Sequence, residues 1–375
     1  MTLPRRKFST AGAGLLLCPA RLAFGTAANS AITLGIIGSG GRGAGVGGLF
    51  ARHDVVRITA LCDLFQDRLE EARRNLNLGA PELFRDYRDL LASAVDAVLI
   101  ATPPFRHPEH FEAAVQAGKH IYLEKPVGVD VAGCRRVIAA ARAARPDRNI
   151  AVGFQRRYGS LYREAERRIR QGQIGTLKFA RSNWIYSGAS AVKMTSPYPA
   201  EQQKLRHWAM WRDYCGDIIV EQDCHGVDVL NWFFDSLPAS AAGVGGRLMR
   251  VNGDNMDHVN VTYEYPERRR AVLTATHIGA RGFRKVSEEF YGLTGVIETH
   301  VDSLLHQRGP EEIETQKAAQ DPTIEGVAEF VRRLQSSQPE NTAVRGAEST
   351  LAAILGRTAM ETARPVTWKQ MMEGG

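Results

Sequence analysis

Read as a helix, residues 216–232, GDIIVEQDCHGVDVLNW, place Glu221, His225 and Asp228 at i, i+4 and i+7. That spacing predicts three ionisable groups in one row, with Trp232 a turn further on. Ile218, Ile219, Val220, Val227, Val229 and Leu230 surround the row, and a helix would bury them. Buried ionisable groups are costly unless they are paired or used. Three chemistries fit such a row: a satisfied core network, a cation site, or half of an active site. Glu221 and His225 have cation-chelating spacing, but no third ligand is evident beyond Asp228, so no metal is expected.

A second candidate is Lys125, in the run IYLEKPV, which reads as a strand ending at Glu124-Lys125-Pro126. Ligands of open α/β sheets sit at the carboxyl ends of the strands. A lysine there, beside a cationic ring, would have a depressed pKa and could trade protons near neutrality. By itself a strand-end lysine is also an ordinary surface residue.

A third is Gly38-Ser39-Gly40-Gly41-Arg42-Gly43, a G-x-G-x-x-G that follows the strand AITLGII and opens a helix. Asp63 follows the next strand, VVRITALC, twenty residues beyond Gly43. Strand, glycine turn, helix and acid together predict a dinucleotide site. Gly38 permits the tight turn, Gly40 lets backbone approach a pyrophosphate, and Gly43 lets helix pack on strand. Gly41 and Arg42 begin the helix, whose free N–H groups suit phosphates. Asp63 can accept from both ribose hydroxyls and would repel a 2′-phosphate. NAD is therefore expected, with NADP the alternative because Arg42 and Arg68 could reach a phosphate.

The elements that must position these groups change character along the chain. Residues 31–155 alternate strands and helices: DAVLIATP, HPEHFEAAVQAGKH, IYLEKPV, DVAGCRRVIAAARAAR and NIAVGFQ follow the first two strands. That alternation predicts a doubly wound parallel sheet. After the helix LYREAERRIRQG come LKFARSNWIYSG, AAGVGGRLMRV, DHVNVTYEYP, RRAVLTATHI and SEEFYGLTGVIETH, long strands that predict an open, mostly antiparallel sheet. Residues 187–207 read as a loop over the cleft. Two helices, 323–337 and 347–364, close the chain. The expected domains are residues 29–155, a Rossmann domain, and 156–375, a substrate and oligomerisation domain whose last helices could return to the first.

The N-terminus reads as a signal rather than fold. Arg5-Arg6 followed by Phe8, a weakly apolar segment and small residues near 25–28 resemble a twin-arginine export signal, cleaved after Ala27 or Ala28. Leu17-Cys18 is a poor lipid-attachment sequence. The expected destination is the periplasm. Of the formal charge of +7, four units lie in residues 1–28, which leaves about +3, too mild to argue for nucleic acid. No apolar run approaches the roughly 18–20 residues of a membrane span. Cys62, Cys134, Cys215 and Cys224 match neither zinc nor disulfide spacing and are expected as free thiols.

Several of these stretches together resemble one family. The glycine motif, Ala101-Thr102-Pro103, Ala117-Gly118-Lys119-His120 leading into Glu124-Lys125-Pro126, Gly153-Phe154-Gln155-Arg156-Arg157 and Leu355-Gly356-Arg357 are similar to the glucose-fructose oxidoreductase/inositol dehydrogenase (Gfo/Idh/MocA) family. The resemblance covers nearly all of the chain after its signal. It implies that Thr102, Pro103, His107, Glu124 and Lys125 join the glycines, Arg42 and Asp63 around the cofactor. It also implies that the opening row is the family's D-x-x-x-H-x-x-D, here Glu221, His225 and Asp228, facing the nicotinamide as the substrate wall. Glu221 departs from the expected Asp by one methylene. Trp211, Gly216, Asp217, Ile219, Val220, Glu221 and Gln222 match an exported subgroup whose substrates are poorly defined.

The implied enzyme is an NAD(P)-dependent sugar or polyol oxidoreductase. Lys125 and His225 would bracket the reacting hydroxyl, with Lys125 the expected base, His225 assisting, and Glu221 holding the imidazole or a neighbouring hydroxyl. Gln155, Arg156, Tyr186, Trp208 and Asp217 are the expected sugar contacts. The alternative is a redox-neutral glycosidase or lyase: transient oxidation at C3 acidifies C2–H, C1 substituent is eliminated, and the ketone is reduced back. An exported enzyme far from cofactor recycling favours a tightly held NAD. A third class is a non-catalytic sugar-binding protein on the same fold. The open sheet face is expected to pair in a homo-oligomer, dimer or tetramer.

Overall fold

The computed structural model describes residues 31–187, 199–280 and 282–374. The expected export signal and residues 188–198 of the expected cleft loop lie outside them.

The alternating first segment folds as β1 (Ile32–Ile37), α1 (Gly41–Phe50), β2 (Val56–Cys62), α2 (Gln66–Asn75), β3 (Glu82–Phe84), α3 (Tyr87–Ala92), β4 (Ala97–Ile100), α4 (His107–Gln116), β5 (His120–Leu123), α5 (Val131–Ala143) and β6 (Ile150–Val152). The six strands are parallel, in the order β3-β2-β1-β4-β5-β6. Strand order reverses between β1 and β4, and the crevice at that switch point is where such sheets bind ligands. β4 is buried at every residue, as a strand covered on both faces must be.

The second segment runs α6 (Ser160–Arg170), β7 (Leu177–Tyr186), α7 (Ala200–Arg206), α8 (Arg212–Cys215), α9 (Ile218–Glu221), α10 (Cys224–Phe234), β8 (Ser240–Gly246), β9 (His258–Glu264), β10 (Arg270–Thr276), β11 (Arg284–Gly292), β12 (Val296–His300), β13 (Ser303–Gln307), β14 (Ile313–Lys317), α11 (Pro322–Ser336), α12 (Ala343–Thr362), β15 (Val366–Thr367) and α13 (Trp368–Gly374). Its nine strands are ordered β14-β13-β12-β11-β7-β10-β9-β8-β15. All pairs are antiparallel except β7 with β10. The stretch expected as one strand over 287–300 is two, β11 and β12. Residues 247–251, expected to continue β8, are not strand, because the Asp257 carboxylate takes the N–H groups of Leu248, Met249 and Arg250 at 2.8–3.1 Å. Residues 200–206 of the expected loop form α7.

Two long-range elements knit these sheets. Phe330 of α11 makes edge-on contacts with Phe50 of α1 and Tyr122 of β5, with centroids 5.7 and 5.6 Å apart. α12 is largely buried, and it packs on α5, α9, α10 and β8. Two polar side chains of α12 hold loops. Arg357 Nη1 donates to Val129 O at 2.9 Å and Gly216 O at 3.0 Å, and Val127 N donates to Thr350 Oγ1 at 3.3 Å. α12 thereby fixes the chain after Lys125 and the turn before Glu221 against each other.

Candidate functional site

The glycine turn is built as its spacing requires. Gly38 has φ +90°, and a Cβ at Gly43 would lie 1.9 Å from the Gly38 carbonyl oxygen. α1 therefore starts flush against the turn. A Cβ at Gly40 or Gly41 would meet nothing within 4 Å, so this backbone faces open space. Asp63 Oδ2 accepts from Ser39 N at 2.9 Å and Oδ1 from Phe65 N at 3.0 Å. Burial raises the Asp63 pKa, against the pull of those two bonds. A cavity of about 340 Å³ runs along the strand ends, lined by Gly38, Gly40, Gly41, Asp63, Thr102 and Pro103 among others. Open backbone at a helix start and an acid beyond β2 fit a dinucleotide.

Other expected cofactor residues have different partners. Arg42 and Glu124 pair with each other at 2.8 Å. His107 does not line the cavity. Its ring nitrogens lie 2.6 Å from Pro126 O and 2.7 Å from Thr102 O, so it ties the turns after β4 and β5 together. His110, which the sequence did not single out, lines the cavity instead, with Nδ1 3.0 Å from Thr102 Oγ1.

The opening row is not one helix. α9 ends at Glu221 and α10 begins at Cys224. In a continuous helix the Glu221 carbonyl would accept from His225 N. Lys125 Nζ, at the end of β5, takes that carbonyl instead and also reaches Glu221 Oε1 at 3.2 Å. His225 N is left with Gln222 O at 3.4 Å, and a new helix starts. The ladder breaks where the lysine enters it. This ties Lys125, from the first sheet, to Glu221 of the second segment, just before the helix that carries His225.

The electrostatics differ from the expectation of a depressed lysine. Burial opposes the Lys125 charge, but Glu221 above all, with Cys224 and Glu124, outweighs it and holds the pKa above the ordinary value. Burial, and then the charges of Lys125 and Arg156, push His225 well below its ordinary range. Its imidazole is neutral at pH 7. The ring stacks on Trp184 with centroids 5.9 Å apart and meets the edge of Phe154 at 6.0 Å. His225 Nδ1 is buried and has no hydrogen-bond partner among the described residues.

Asp228, third in the row, faces elsewhere. Arg157 grips it through Nε and Nη2 at 2.8–3.0 Å, and Ser349 Oγ donates to it at 2.6 Å. This is a satisfied buried pair and no part of a substrate wall. Arg156 is likewise spent, on Glu288, which also accepts from Tyr162 at 3.3 Å and Thr299 at 3.0 Å. Asp217 caps α9 through Ile218 N and accepts from Met256 N at 3.0 Å, so it is a structural carboxylate. Trp208 lines the strand-end cavity with Thr102 and Pro103. Tyr186 is partly exposed and edge-on to His277 at 6.0 Å. Gln155 keeps a buried Oε1 with no partner among the described residues.

A polar chain beside Glu221 was not foreseen from spacing. His277 Nε2 lies 2.6 Å from Gln222 Oε1, and Arg250 donates to His277 Nδ1 at 2.7 Å. Residues from a helix break, a strand end and a loop meet there, and no local spacing links them. Among the described residues no cluster of three metal-ligating side chains occurs, and no helix is long and apolar enough to cross a membrane. Cys62, Cys134, Cys215 and Cys224 are free and buried.

Comparison with known proteins agrees with this arrangement. Residues 32–153 match the profile described as "Oxidoreductase family, NAD-binding Rossmann fold", and 162–298 match "GFO/IDH/MocA C-terminal domain". Inositol 2-dehydrogenase of Pseudomonas syringae pv. syringae is 35% identical over 156 residues, 39% of this chain and 43% of that protein. Inositol 2-dehydrogenase 3 of Saccharopolyspora erythraea is 44% identical over 89 residues, 24% of this chain and 26% of that protein. The chain thus spans less than half the length of these curated relatives. A levoglucosan dehydrogenase solved with NADH and levoglucosan shares the fold at TM-score 0.78 and 17% identity, covering 90% of this chain and 100% of that one. Scyllo-inositol dehydrogenase from Lactobacillus casei, solved with NAD(H) and scyllo-inositol, does so at TM-score 0.70 and 22% identity, covering 90% and 99%. With both of its segments matched by that family's two domains, the chain is a member of the Gfo/Idh/MocA oxidoreductases, and its first segment is their NAD-binding Rossmann domain.

Proposed function

We propose that this chain is an NAD-dependent oxidoreductase moving a hydride between the nicotinamide and a hydroxyl-bearing carbon of a sugar or polyol. The observation that carries the reading is the meeting of Lys125, Glu221 and a neutral His225 with a free Nδ1, within an NAD-binding family. The glycine turn, the α1 start and Asp63 would hold the dinucleotide. When bound, it supplies the carbon that accepts or returns the hydride.

The side chains divide the remaining work. Lys125, kept charged by Glu221, donates a hydrogen bond to the reacting oxygen and stabilises negative charge there. His225 Nδ1 accepts the hydroxyl proton in the oxidative direction, and its plane is set by Trp184 and Phe154. This exchanges the roles expected from sequence, where Lys125 was the base. Gln155 offers an acceptor for a second hydroxyl. The named relatives support a polyol or anhydrosugar as the first compounds to try.

The reading extends to assembly and place. The chain forms a homo-oligomer through the open face of its second sheet. Residues 1–28 act as a twin-arginine-type signal to the periplasm, checked by fractionation and N-terminal sequencing of the mature protein.

The deciding experiment offers purified protein NAD with inositols, levoglucosan, free sugars and nitrophenyl glycosides, following 340 nm and aglycone together. Growth of absorbance at 340 nm without aglycone supports the proposal. Aglycone release with no net NADH overturns it in favour of redox-neutral glycoside cleavage.

A further inference from the structure

The cavity along the strand ends has a second wall. Besides Gly38, Asp63 and Thr102 it is lined by Leu205, Arg206 and Trp208, which lie far along the chain, on α7 and just after it. Asp63 marks the ribose end of a dinucleotide groove. Leu64, Phe65 and Arg68 line the cavity beside it, and Arg206 reaches that same end. Its guanidinium lies 4.2 Å from the Phe65 ring centroid and pairs with Asp67, in the first turn of α2. Arg206 is mostly buried, whereas Asp67 is about half exposed.

The segment carrying Arg206 is anchored on both sides of the groove. Tyr214 of α8 stacks on Phe105, in the turn after β4, with centroids 4.5 Å apart. Lys204 lies 4.9 Å above the rings of both Trp211 and Tyr214. Toward the second sheet, Asn255 donates to Ala209 O at 2.8 Å and Asp254 N to Met210 O at 3.1 Å. Residues 199–211 are thus a built wall.

We propose that Arg206 and Trp208 are binding residues for the adenosine half of the dinucleotide, and that the Arg206–Asp67 pair slows its departure. The inference rests on the NAD reading above and adds a site from the second segment to the Rossmann domain. A guanidinium is flat, always charged and weakly hydrated, so it can stack on an adenine face while attracting the pyrophosphate. Trp208 supplies an apolar ring at the same opening. A ligand held from both sides leaves only when this wall shifts, which places the effect in the dissociation rate.

The test is the dissociation rate of NADH from the full chain, read by stopped-flow fluorescence on displacement with excess NAD. Loss of a partly desolvated cationic stacking contact corresponds to about tenfold faster release from Arg206→Ala. Arg206→Lys, which keeps the charge and loses the plane, should fall between that variant and the wild type. Asp67→Asn removes only a half-exposed ion pair, so release should quicken by no more than about fivefold and its salt dependence should change, because the Arg206 charge is left to the ligand alone. Release from Arg206→Ala within about twofold of the wild type overturns the proposal, since the dissociation rate is where such contacts act. If Arg206→Ala does not fold, an Asp67→Asn protein with wild-type rate and salt dependence overturns it equally. A wild-type chain that retains no NADH defeats the NAD reading itself, a result distinct from either variant outcome.

Discussion

Lys125 does two jobs with one ammonium: it holds the Glu221 carbonyl and carboxylate, and it presents charge beside a neutral His225. Lys125→Ala should therefore lower turnover by about 10²–10⁴-fold, the range for a positioned proton donor or acceptor, while NADH still binds. Steady-state rates with NADH titration check this, and near-normal turnover would remove Lys125 from the chemistry. The pH profile separates the roles. If His225 accepts the proton, oxidation is lost only as pH falls through its lowered pKa and is flat above it. If Lys125 were the base, the rate would climb with pH toward its raised pKa. His277 titrates against the fold. Arg250 donates to Nδ1, so Nε2 carries the proton toward Gln222, and burial with the Arg250 charge pushes the pKa down to about 4. Unfolded histidine titrates near 6.5. Between about 6.5 and 4 the unfolded chain binds more protons, so stability falls as pH drops through that window and is flat above it. This one group contributes at most roughly 3 kcal/mol of that loss. His277→Gln can accept from Arg250 and donate to Gln222, and urea midpoints at pH 7.5 and 4.5 should show a shallower acid slope. An unchanged slope would refute the assignment.

At the scale of elements, two close approaches set where His225 stands. Gly226 is the residue after it, and a Cβ there would lie 2.0 Å from Ser182 Oγ on β7. Gly226→Ala should push α10 off the sheet and cost about 1–3 kcal/mol by overpacking, although alanine is the better helix former. Ser182→Gly in the same chain should restore most of the loss in a thermal melt. Additive losses would show that the clash is not the cause. Arg156, in the turn before α6, pairs with Glu288 of β11, and both are almost fully buried. Arg156→Ala should destabilise by about 3–5 kcal/mol, because it leaves Glu288 charged and unpaired. A variant with wild-type melting temperature and a raised KM would return Arg156 to the substrate contacts expected from sequence.

At the scale of the molecule, the second sheet has one face packed by α6, α10 and α12 and another carrying Phe179, Val272, Tyr291 and Leu305, all half-buried. An antiparallel sheet with mixed apolar residues on its open face commonly meets a second copy. Sedimentation velocity at micromolar concentration should show a dimer or tetramer, and Val272→Asp should shift it to smaller species. A wild-type monomer would refute the assembly.

Much of this protein was legible in local order. The G-x-G-x-x-G, the acid after the second strand and the apolar parallel strands determined the Rossmann half, because glycine sterics and period-two burial act over a few residues. The presence of Lys125, Glu221 and His225 was legible too. Their arrangement was not. Helical spacing put Glu221, His225 and Asp228 in one row, which the family resemblance implied was a substrate wall, but a lysine 96 residues away takes the Glu221 carbonyl and breaks the helix. Asp228, Arg156 and Asp217 looked free for substrate in the sequence, and their partners Arg157, Glu288 and Met256 could be found only in three dimensions. The same holds for Arg206 on the cofactor cavity and for the chain from Gln222 through His277 to Arg250. Periodicity decides which face of an element is buried. Only the packed fold decides which ionisable group meets which, since a buried charge is settled by whatever partner the long-range topology brings within hydrogen-bond reach.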